Sequence, residues 1–490
     1  MKKRIDEVPG FILGLALLLG AGSSLPYPCP AQPAFDGGVE GTWLGTLKGP
    51  GYELRLVFHI SKEDDGTFTA TLDSPDQGAT GVPVSEVIVS DDSLRLEVQV
   101  AAAVYEGRIS EDGTTIDGTW TQGGGSLPLV LTRTDDAPEL RRPQEPKEPY
   151  PYEAEDVVFD HAEAGIQLAG TLTLPRAEGP FPAVILISGS GPQDRDEALL
   201  GHRPFLVLAD YLTRRGIAVL RFDDRGIGQS QGSFATATSE DFAGDVLAGV
   251  TYLKSRPEIN PAQIGLAGHS EGGLIAPMVA VRSSDVAFIV LMAGPGLTGE
   301  EILYRQAALI NRVGGTSEEA IAANRTLQER MFAVLKEEPD SQAAAGKLRA
   351  IMEETLAAMS EQEREELGFA GDDVGPLVLR QIMQVNSPWF RYFLTYNPRP
   401  TLEQVTCPVL AVNGEKDLQV PPKENLRAIE EALQAGGHAD YKIVEFPDLN
   451  HLFQTAETGS LAEYGRIEET FAPAALEVIG TWILEKTSAQ

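Results

Sequence analysis

The pattern G-x-S-x-G at residues 268–272 constrains the fold of this chain more than any other stretch. It follows the short apolar run 264–267 and precedes the apolar segment 274–280, which can begin a helix. A strand, a sharp turn and a helix in this order force the central residue, Ser270, into a turn that exposes its hydroxyl. Glycines flank the serine because a Cβ would clash where the strand and the helix nearly touch. The alternative is an ordinary glycine-rich turn.

A serine hydroxyl becomes a good nucleophile only when a histidine accepts its proton. The chain has six histidines, and in chains with this turn the histidine follows the serine in the sequence. Only His438 and His451 do so. His438 lies in a glycine-rich turn before the predicted strand 441–446, whereas His451 follows that strand. Open α/β sheets bind their ligands at the carboxyl ends of strands, so we predict that His451 is the general base.

The histidine needs an acid that orients it, and the acid should also follow a strand. The apolar run 407–412 is typical of a short buried strand, and a polar segment containing Asp417 comes directly after it. We predict that Asp417 is the acid. Glu415 is the nearest rival, because it lies only two residues away. Asp448 is disfavoured because it is too close to His451 along the chain to come from a separate strand end.

A tetrahedral intermediate needs two fixed N–H donors for its oxyanion. One donor is expected to be the amide of the residue after the serine, Glu271. The other is expected in the loop that follows the predicted strand 182–187. We assign the amide of Ser190 to this role, with the amides of Gly189 and Gly191 as alternatives.

These residues resemble the α/β-hydrolase superfamily, and the resemblance runs from about residue 153 to residue 490. It is carried by the loop 188–196, the turn 221–230, the turn 268–272 and the strand ends that bear Asp417 and His451. The turn 221–230 contains D-x-R-G-x-G-x-S, a sequence similar to one common in esterases, acylglycerol lipases and aminopeptidase-like members. Its role in the family is structural, because its glycines allow a tight connection from strand to helix.

One departure from the family pattern lies in the loop 188–196. Many members begin this loop with His-Gly, whereas this chain has Ser188-Gly189. The departure leaves open which side chains support the loop, although the backbone donor is unaffected. The polar residues 193–196 are expected to brace the loop rather than to take part in the chemistry.

The resemblance implies a serine carboxylesterase that needs no cofactor and acts on a small-molecule ester. Ser270 would form an acyl-enzyme, with His451 as the base and Asp417 as its orienting acid. One alternative is a serine aminopeptidase or amidase of the same fold, which would need an acidic group, either Glu271 or a carboxylate of the cap, to hold a free amino terminus. A second alternative is a binding protein that keeps the fold without turnover.

The predicted fold class is α/β, with an α/β-hydrolase fold that carries a helical cap insertion and follows a small all-β domain. Composition divides the chain into a signal peptide at 1–31, an all-β accessory domain at 38–135, a Pro-rich linker at 136–152 and a hydrolase domain at 153–490, with the cap at 297–400. The cap is predicted because these residues favour helices and the next strand begins only at Val409.

Short alternating segments indicate that the all-β domain is a barrel or a sandwich. Alternation recurs at 52–60 and 93–98, and the Asp-Gly pairs at 65–66, 112–113 and 117–118 are read as turns. The domain is expected to be an accessory that packs on the hydrolase. The alternative is a module that binds carbohydrate or lipid.

The first residues are typical of a secretory signal peptide, with basic residues at 2–4 and an apolar run at 11–20. Cleavage is expected near Ala31, so we predict a secreted or periplasmic protein without stable membrane insertion. Lipoprotein processing at Cys29 and an uncleaved anchor are the alternatives.

Net charge restricts the possible binding partners, and cysteine content bears on disulfide bonds and metal sites. The net charge is −33, which opposes binding to nucleic acid and to anionic membrane surfaces. Cys29 and Cys407 are the only cysteines, so no disulfide framework is expected. Cys407 is expected to be a small core residue, and no group of His and Cys has the spacing of a metal site.

Overall fold

The computed structural model describes residues 38–49, 52–122, 125–138, 141–360 and 375–488. Contacts divide these residues into two compact units. The first unit comprises residues 38–142 together with 199–202, and the second comprises 143–198 together with 203–488. The predicted signal peptide and its cleavage site lie outside the described residues. None of the helices in the described ranges is long and apolar enough to cross a membrane.

The first unit contains a single antiparallel sheet. Its strands are β1 Gly41–Gly49, β2 Tyr52–Lys62, β3 Phe68–Ser74, β4 Ala79–Pro83, β5 Glu86–Ser90, β6 Ser93–Val98, β7 Ala103–Ile109, β8 Thr115–Gln122 and β9 Gly125–Arg133. They lie in the order β4-β3-β2-β1-β9-β8-β7-β6-β5. Only residues 84 and 85 join the two edge strands, so the sheet must curl until its edges approach each other. Trp43, Phe58 and Tyr105 are fully buried within the curl. The predicted all-β domain is therefore confirmed, as a curled, barrel-like sheet.

Two of the three Asp-Gly pairs, at 65–66 and 112–113, lie in turns between strands. The interpretation of the pair at 117–118 as a turn was wrong, because both residues lie inside β8. A Cβ on Gly118 would lie 2.7 Å from the ring of Tyr105 in the neighbouring strand. This glycine serves close packing within the sheet rather than a chain reversal.

The second unit contains a mostly parallel sheet. Its strands are β10 Glu153–His161, β11 Ile166–Leu174, β12 Phe181–Ile187, β13 Ala218–Phe222, β14 Ile259–His269, β15 Val286–Met292, β16 Val409–Gly414 and β17 Tyr441–Phe446. They lie in the order β10-β11-β13-β12-β14-β15-β16-β17. β11 is antiparallel to both of its neighbours, and the remaining pairs are parallel. This order confirms the predicted α/β-hydrolase fold.

Helices follow most of these strands and cover the sheet. They are α1 Pro204–Arg214, α2 Ser239–Lys254, α3 Glu271–Ala280, α4 Gly299–Val313, α5 Glu318–Glu337, α6 Ser341–Ala358, α7 Gly375–Val385, α8 Pro388–Thr395, α9 Arg399–Leu402, α10 Pro422–Ala435, α11 Leu461–Tyr464 and α12 Pro473–Ser488. α1 packs with α12 and α2 packs with α3, while the central strands are buried almost along their whole length. Continuous apolar strands of this kind are expected when helices cover both faces of a parallel sheet.

The helices α4 to α9 form the predicted cap insertion between β15 and β16. Ser and Thr side chains cap several of them: Thr298 begins α4 with a capping box, and Ser317 and Ser387 cap α5 and α8. Such caps satisfy backbone N–H groups that would otherwise lack partners. The described helices of this segment begin at Gly299 and end at Leu402, close to the predicted limits of 297 and 400.

Candidate active site

Ser270 occupies a strained turn between β14 and α3. Its backbone has φ 51° and ψ −115°, a conformation that non-glycine residues rarely adopt. The strand and the helix touch on either side of it: a Cβ on Gly268 would lie 2.0 Å from the carbonyl oxygen of Gly272, and a Cβ on Gly272 would lie 2.1 Å from that of Ile187. The G-x-S-x-G stretch is therefore a sharp elbow rather than an ordinary turn.

Asp417 and His451 form a buried pair at the ends of neighbouring strands. Asp417 follows β16 and His451 follows β17, and their side chains are almost fully inaccessible. His451 Nδ1 donates to Asp417 Oδ2 at 2.7 Å. The other carboxylate oxygen accepts from the amides of Gln419 and Val420 at 2.8 and 2.9 Å. With Nδ1 as the donor to the carboxylate, His451 Nε2 is left able to accept a proton.

The rival acids and the rival histidine lie elsewhere. Glu415 accepts from the backbone amide of Asp448, and the Asp448 carboxylate pairs with Lys416 at 2.7 Å near the surface. His438 Nε2 donates to the carbonyl oxygen of Cys407, which precedes β16. His438 therefore lies at the opposite end of the sheet from the elbow.

The elbow approaches His451 through the residue before Ser270. The ring of His269 lies 4.8 Å from the ring of His451, and its Nε2 donates to the His451 carbonyl oxygen at 2.9 Å. Within the described part of the chain, no hydrogen bond joins the Ser270 hydroxyl to His451. Such contacts are often long until substrate is bound, so their absence does not exclude the pair from acting together.

The loop after β12 presents backbone amides beside Ser270. A Cβ on Gly189 would lie 3.3 Å from Ser270 Cβ, so this loop passes directly against the elbow. The Gly189 amide itself donates to the carboxylate of Glu197 at 2.6 Å and is occupied. Among the predicted donors of this loop, the amides of Ser190 and Gly191 remain. The Glu271 amide begins α3, where helical N–H groups lack partners within the helix.

The loop is supported by carboxylates that follow β13. Ser188 Oγ donates to Asp224 at 2.8 Å, and the Gln193 amide donates to the same carboxylate at 3.0 Å. Arg195 forms a two-pronged contact with Asp223. Burial raises the pKa of Asp224 well above its ordinary value. Ser188 and Asp224 thus hold the start of the loop, and the residues from Gln193 onward brace it.

The side chain of Glu271 joins three helices. Its carboxylate accepts from Ser239 Oγ in α2 at 2.6 Å and from Trp389 Nε1 in α8 at 2.8 Å. Burial raises the pKa of Glu271 to about 6, and the two hydrogen bonds oppose this rise. The residue whose amide is predicted to bind the oxyanion therefore also anchors the cap.

Two residues beside the site were not identified from the sequence: Glu197 and His269. His269 occupies a variable position of the elbow pattern, and Glu197 directly follows the polar run 193–196. Glu197 lies 72 residues before His269 along the chain, so no local spacing reveals this pair. The available signal for His269 was its place directly before the serine of the elbow. Among the residues that the structure describes, no cluster of three His, Cys, Asp or Glu side chains could hold a metal ion.

Comparison with curated proteins finds relatives that match part of the chain. The chain is 27% identical over 290 residues to the Esterase EstD of Thermotoga maritima, which covers 59% of each protein. It is 30% identical over 128 residues to the uncharacterized protein YfhR of Salmonella typhi, covering 26% of this chain and 40% of that protein. The matches thus span less than two thirds of these relatives.

Among solved structures, the chain is similar to the Pyrococcus furiosus esterase Pf2001. The identity is 16%, the TM-score is 0.41, and the alignment covers 69% of this chain and 91% of that one.

A family model also matches the chain. The model described as serine aminopeptidase, S33, matches residues 203–457, which is just over half of the chain and includes Ser270, Asp417 and His451. The sheet order of the second unit agrees with this assignment. The chain therefore belongs to the serine aminopeptidase S33 family of α/β hydrolases.

Proposed function

We propose that this hydrolase is a serine carboxylesterase that works through an acyl-enzyme. The observation that carries the proposal is the strained backbone of Ser270 at the carboxyl end of β14, on the same sheet edge as the buried Asp417–His451 pair. Backbone strain of this kind costs about 1–3 kcal/mol and persists where surrounding contacts enforce it, typically at functional sites.

In the first half of the reaction, Ser270 Oγ attacks the ester carbonyl and His451 Nε2 takes its proton. Asp417 stabilises the imidazolium that forms. The negative charge on the carbonyl oxygen is held by the amides of Glu271 and Ser190. When the intermediate collapses, the alcohol leaves with the proton from His451, and Ser270 carries the acyl group.

In the second half, His451 takes a proton from water, and the resulting hydroxide attacks the acyl carbon. The same two amides hold the second oxyanion. Collapse returns the proton to Ser270 Oγ and releases the carboxylic acid. Each group ends in the state in which it began, so the cycle needs no co-reactant other than water.

An aminopeptidase is the second candidate, and the family description favours it. Such an enzyme needs a carboxylate that is free to bind the amino terminus of its substrate. Glu271, one of the two sequence candidates for that role beside a cap carboxylate, is already occupied by Ser239 and Trp389. This occupation, together with the name of the relative EstD, supports ester hydrolysis over peptide hydrolysis.

The test is hydrolysis of a series of p-nitrophenyl esters, from acetate to palmitate, by the parent protein and its Ser270→Ala variant. We expect the parent to hydrolyse short or medium esters and the variant to lose nearly all activity. Covalent labelling of the parent by a fluorophosphonate should be absent in the variant. A folded parent that neither hydrolyses the esters nor takes the label would refute the proposal.

The aminopeptidase candidate is tested with peptides that carry a free or an acetylated amino terminus. Cleavage of the free form alone, at a rate above that of the best ester, would favour the aminopeptidase. We expect neither peptide to be cleaved faster than the ester.

Export is a further proposal and is supported by the basic and apolar residues at 2–4 and 11–20. We expect protein expressed with its own first residues to accumulate outside the cytoplasm with a mature amino terminus near residue 32. An unprocessed, membrane-bound protein would contradict the proposal.

A further inference from the structure

A second histidine–carboxylate pair lies directly behind Ser270, and the mechanism above does not use it. His269 Nδ1 and Glu197 Oε1 are 2.9 Å apart, and both side chains are almost completely buried. Glu197 comes from the loop between β12 and α1, and His269 is the last residue of β14. The pair therefore joins two segments that each carry a predicted donor or nucleophile.

The carboxylate of this pair holds the loop that supplies the oxyanion amide. Glu197 Oε1 accepts from the Gly189 amide at 2.6 Å, one residue before Ser190. Gly189 has little room to move, because a Cβ there would lie 3.1 Å from Glu197 Oε1 and 3.3 Å from Ser270 Cβ. A change in the position of Glu197 would therefore move the neighbouring amide relative to Ser270.

The imidazole of the pair holds the segment that carries the general base. His269 Nε2 donates to the carbonyl oxygen of His451 at 2.9 Å. A carbonyl oxygen can only accept, so Nε2 must carry a proton. His269 thus bonds to the backbone of His451, while Asp417 bonds to its side chain. The backbone of the general base is therefore held by the end of β14, and its side chain is held by the segment after β16.

The surroundings favour a charged pair. With Nε2 protonated, an additional proton on Nδ1 gives an imidazolium opposite the Glu197 carboxylate. Burial opposes this charge, but the charge and hydrogen bond of Glu197 outweigh burial, so the pKa of His269 is raised. The charged or titratable groups that face His269 are Glu197, His451 and Asp417. A small cavity beside the pair is lined by Pro204, Phe205, Met292, Leu452, Phe453 and Phe471, whose apolar side chains strengthen the attraction by excluding water.

The backbone of Glu197, like that of Ser270, has a positive φ. Its φ is 51°, in the left-handed region that favours glycine. The preceding turn holds it, because the Asp194 carboxylate accepts from the amides of Asp196 and Ala198 on either side. A strained conformation retained at this point indicates that the position of the Glu197 carboxylate matters.

We propose that Glu197 and His269 form a positioning dyad that holds the Ser190 amide and His451 in register with Ser270. The proposal rests on the serine esterase function proposed above. The dyad touches no reacting atom. It acts by keeping the nucleophile, the base and the oxyanion donor in one arrangement, so its loss should lower the rate of the chemical step rather than the binding of substrate.

The test compares Glu197→Gln, which keeps the shape but removes the charge, with the parent on the best p-nitrophenyl ester. We expect kcat to fall by about 10- to 100-fold with KM nearly unchanged. The second-order rate of fluorophosphonate labelling should fall in parallel, while the final stoichiometry stays at one label per chain. Glu431→Gln is the control, because Glu431 pairs with Arg427 one turn earlier on the exposed face of α10, and it should leave both rates unchanged.

A purely structural role would give a different result. Loss of fold in Glu197→Gln would reduce the final stoichiometry and leave the rate per labelled site at the parental value, which would overturn the proposal. The variants His269→Gln and Glu197→Gln should also be non-additive, with the double variant no slower than about twofold below the slower single variant. If the losses in kcat of the two single variants multiply in the double variant, the two residues act independently and the proposed dyad is contradicted. A parent that is not labelled at all would refute the esterase proposal itself, which separates the two failures.

Discussion

At the scale of single residues, the elbow depends on Gly272 as much as on Ser270. A Cβ on Gly272 would lie 2.1 Å from the carbonyl oxygen of Ile187, so Gly272→Ala must push α3 away from β12. We expect a loss of about 1–3 kcal/mol in the free energy of unfolding, as for other overpacked sites. The displaced Ser270 should lower kcat by about 100-fold. Calorimetry and ester hydrolysis check the two effects.

The same substitution at an open position provides the control. Gly346 lies inside α6, and a Cβ there would meet nothing within 4 Å. Gly346→Ala should therefore stabilise the protein by about 0.5–1 kcal/mol, because alanine loses less entropy in a helix, and activity should be unchanged. Equal behaviour of the two variants would show that the close approach at the elbow is not a constraint.

Glu271 should make stability depend on pH. Burial raises its pKa in the folded protein from 4.5 to about 6. The folded state then binds the proton more tightly than the unfolded state, so its contribution is present below pH 4.5 and is lost as pH rises through about 6. Glu271→Gln cannot titrate. Its stability relative to the parent should therefore rise by about 2 kcal/mol between about pH 4.5 and pH 7.

Denaturant unfolding at several pH values measures this difference. The hydrogen bonds to Ser239 and Trp389 change in the variant at every pH, so only the pH-dependent part tests the prediction. A difference that stays constant, or shrinks as pH rises, would contradict a raised pKa at Glu271.

Catalytic residues that follow strands in a fixed order along the chain could be predicted from the sequence. The Glu197–His269 pair has no such order and could not be predicted. Ser270, Asp417 and His451 were chosen because each follows an apolar strand, and the structure brings Asp417 and His451 into contact. Glu197 and His269 follow no such rule. Their approach depends on a turn with a left-handed residue and on the packing of two loops, and neither can be read from residue types.

At the scale of elements, one hydrogen-bonded side chain ties the cap helix α8 to the elbow helix α3. Trp389 Nε1 donates to both oxygens of Glu271, and the indole stacks on Phe393 at 5.4 Å. Trp389→Phe keeps an aromatic ring but removes one of the two side chains that donate to the buried Glu271 carboxylate, so that only Ser239 remains. We expect a loss of about 1–3 kcal/mol in the free energy of unfolding.

A neighbouring residue of α8 supplies the control. Tyr392 donates to Glu240 at 3.2 Å close to the surface, so Tyr392→Phe should change stability by less than about 0.5 kcal/mol. The shift of the thermal transition in calorimetry compares the two variants. If both shift it equally, the Trp389 hydrogen bond contributes nothing specific to cap docking.

The existence of the cap was predictable, but its docking was not. A helix-favouring composition between two strand patterns is a property of the sequence alone, and it predicted a helical insertion, whose described helices lie between Gly299 and Leu402. The docking contact joins residues 118 positions apart. The pair at 117–118 fails for a related reason, since a Cβ on Gly118 would meet the backbone and the Tyr105 ring of the neighbouring strand β7, which residue types alone do not reveal.

At the scale of the whole molecule, each unit has its own hydrophobic core. One core is formed by the inward side chains of the curled sheet, and the other by the strands and helices of the parallel sheet. The alternation of apolar residues predicted the first, and the long apolar strands predicted the second. Curling of the nine-stranded sheet could not be predicted in the same way, because it follows from which strands form the edges.

The net charge of the chain makes a prediction about its response to salt. Asp and Glu number 72 and Lys and Arg 39, so 33 carboxylates lack a basic partner even if every base is paired. Salt screens both the favourable ion pairs and the repulsion among this excess. Exposed ion pairs contribute little individually, so we expect relief of the repulsion to dominate. The Tm at neutral pH should therefore rise between about 10 mM and about 300 mM NaCl.

The same titration near the isoelectric point separates charge repulsion from general effects of salt. Close to the sequence pI of about 4.5, the net charge approaches zero and the remaining ion pairs are the main targets of screening. Salt should then leave the Tm unchanged or lower it. If the Tm falls with salt at neutral pH, the favourable ion pairs outweigh the repulsion among the excess carboxylates. If the Tm rises equally at both pH values, salt acts on apolar burial rather than on charge repulsion.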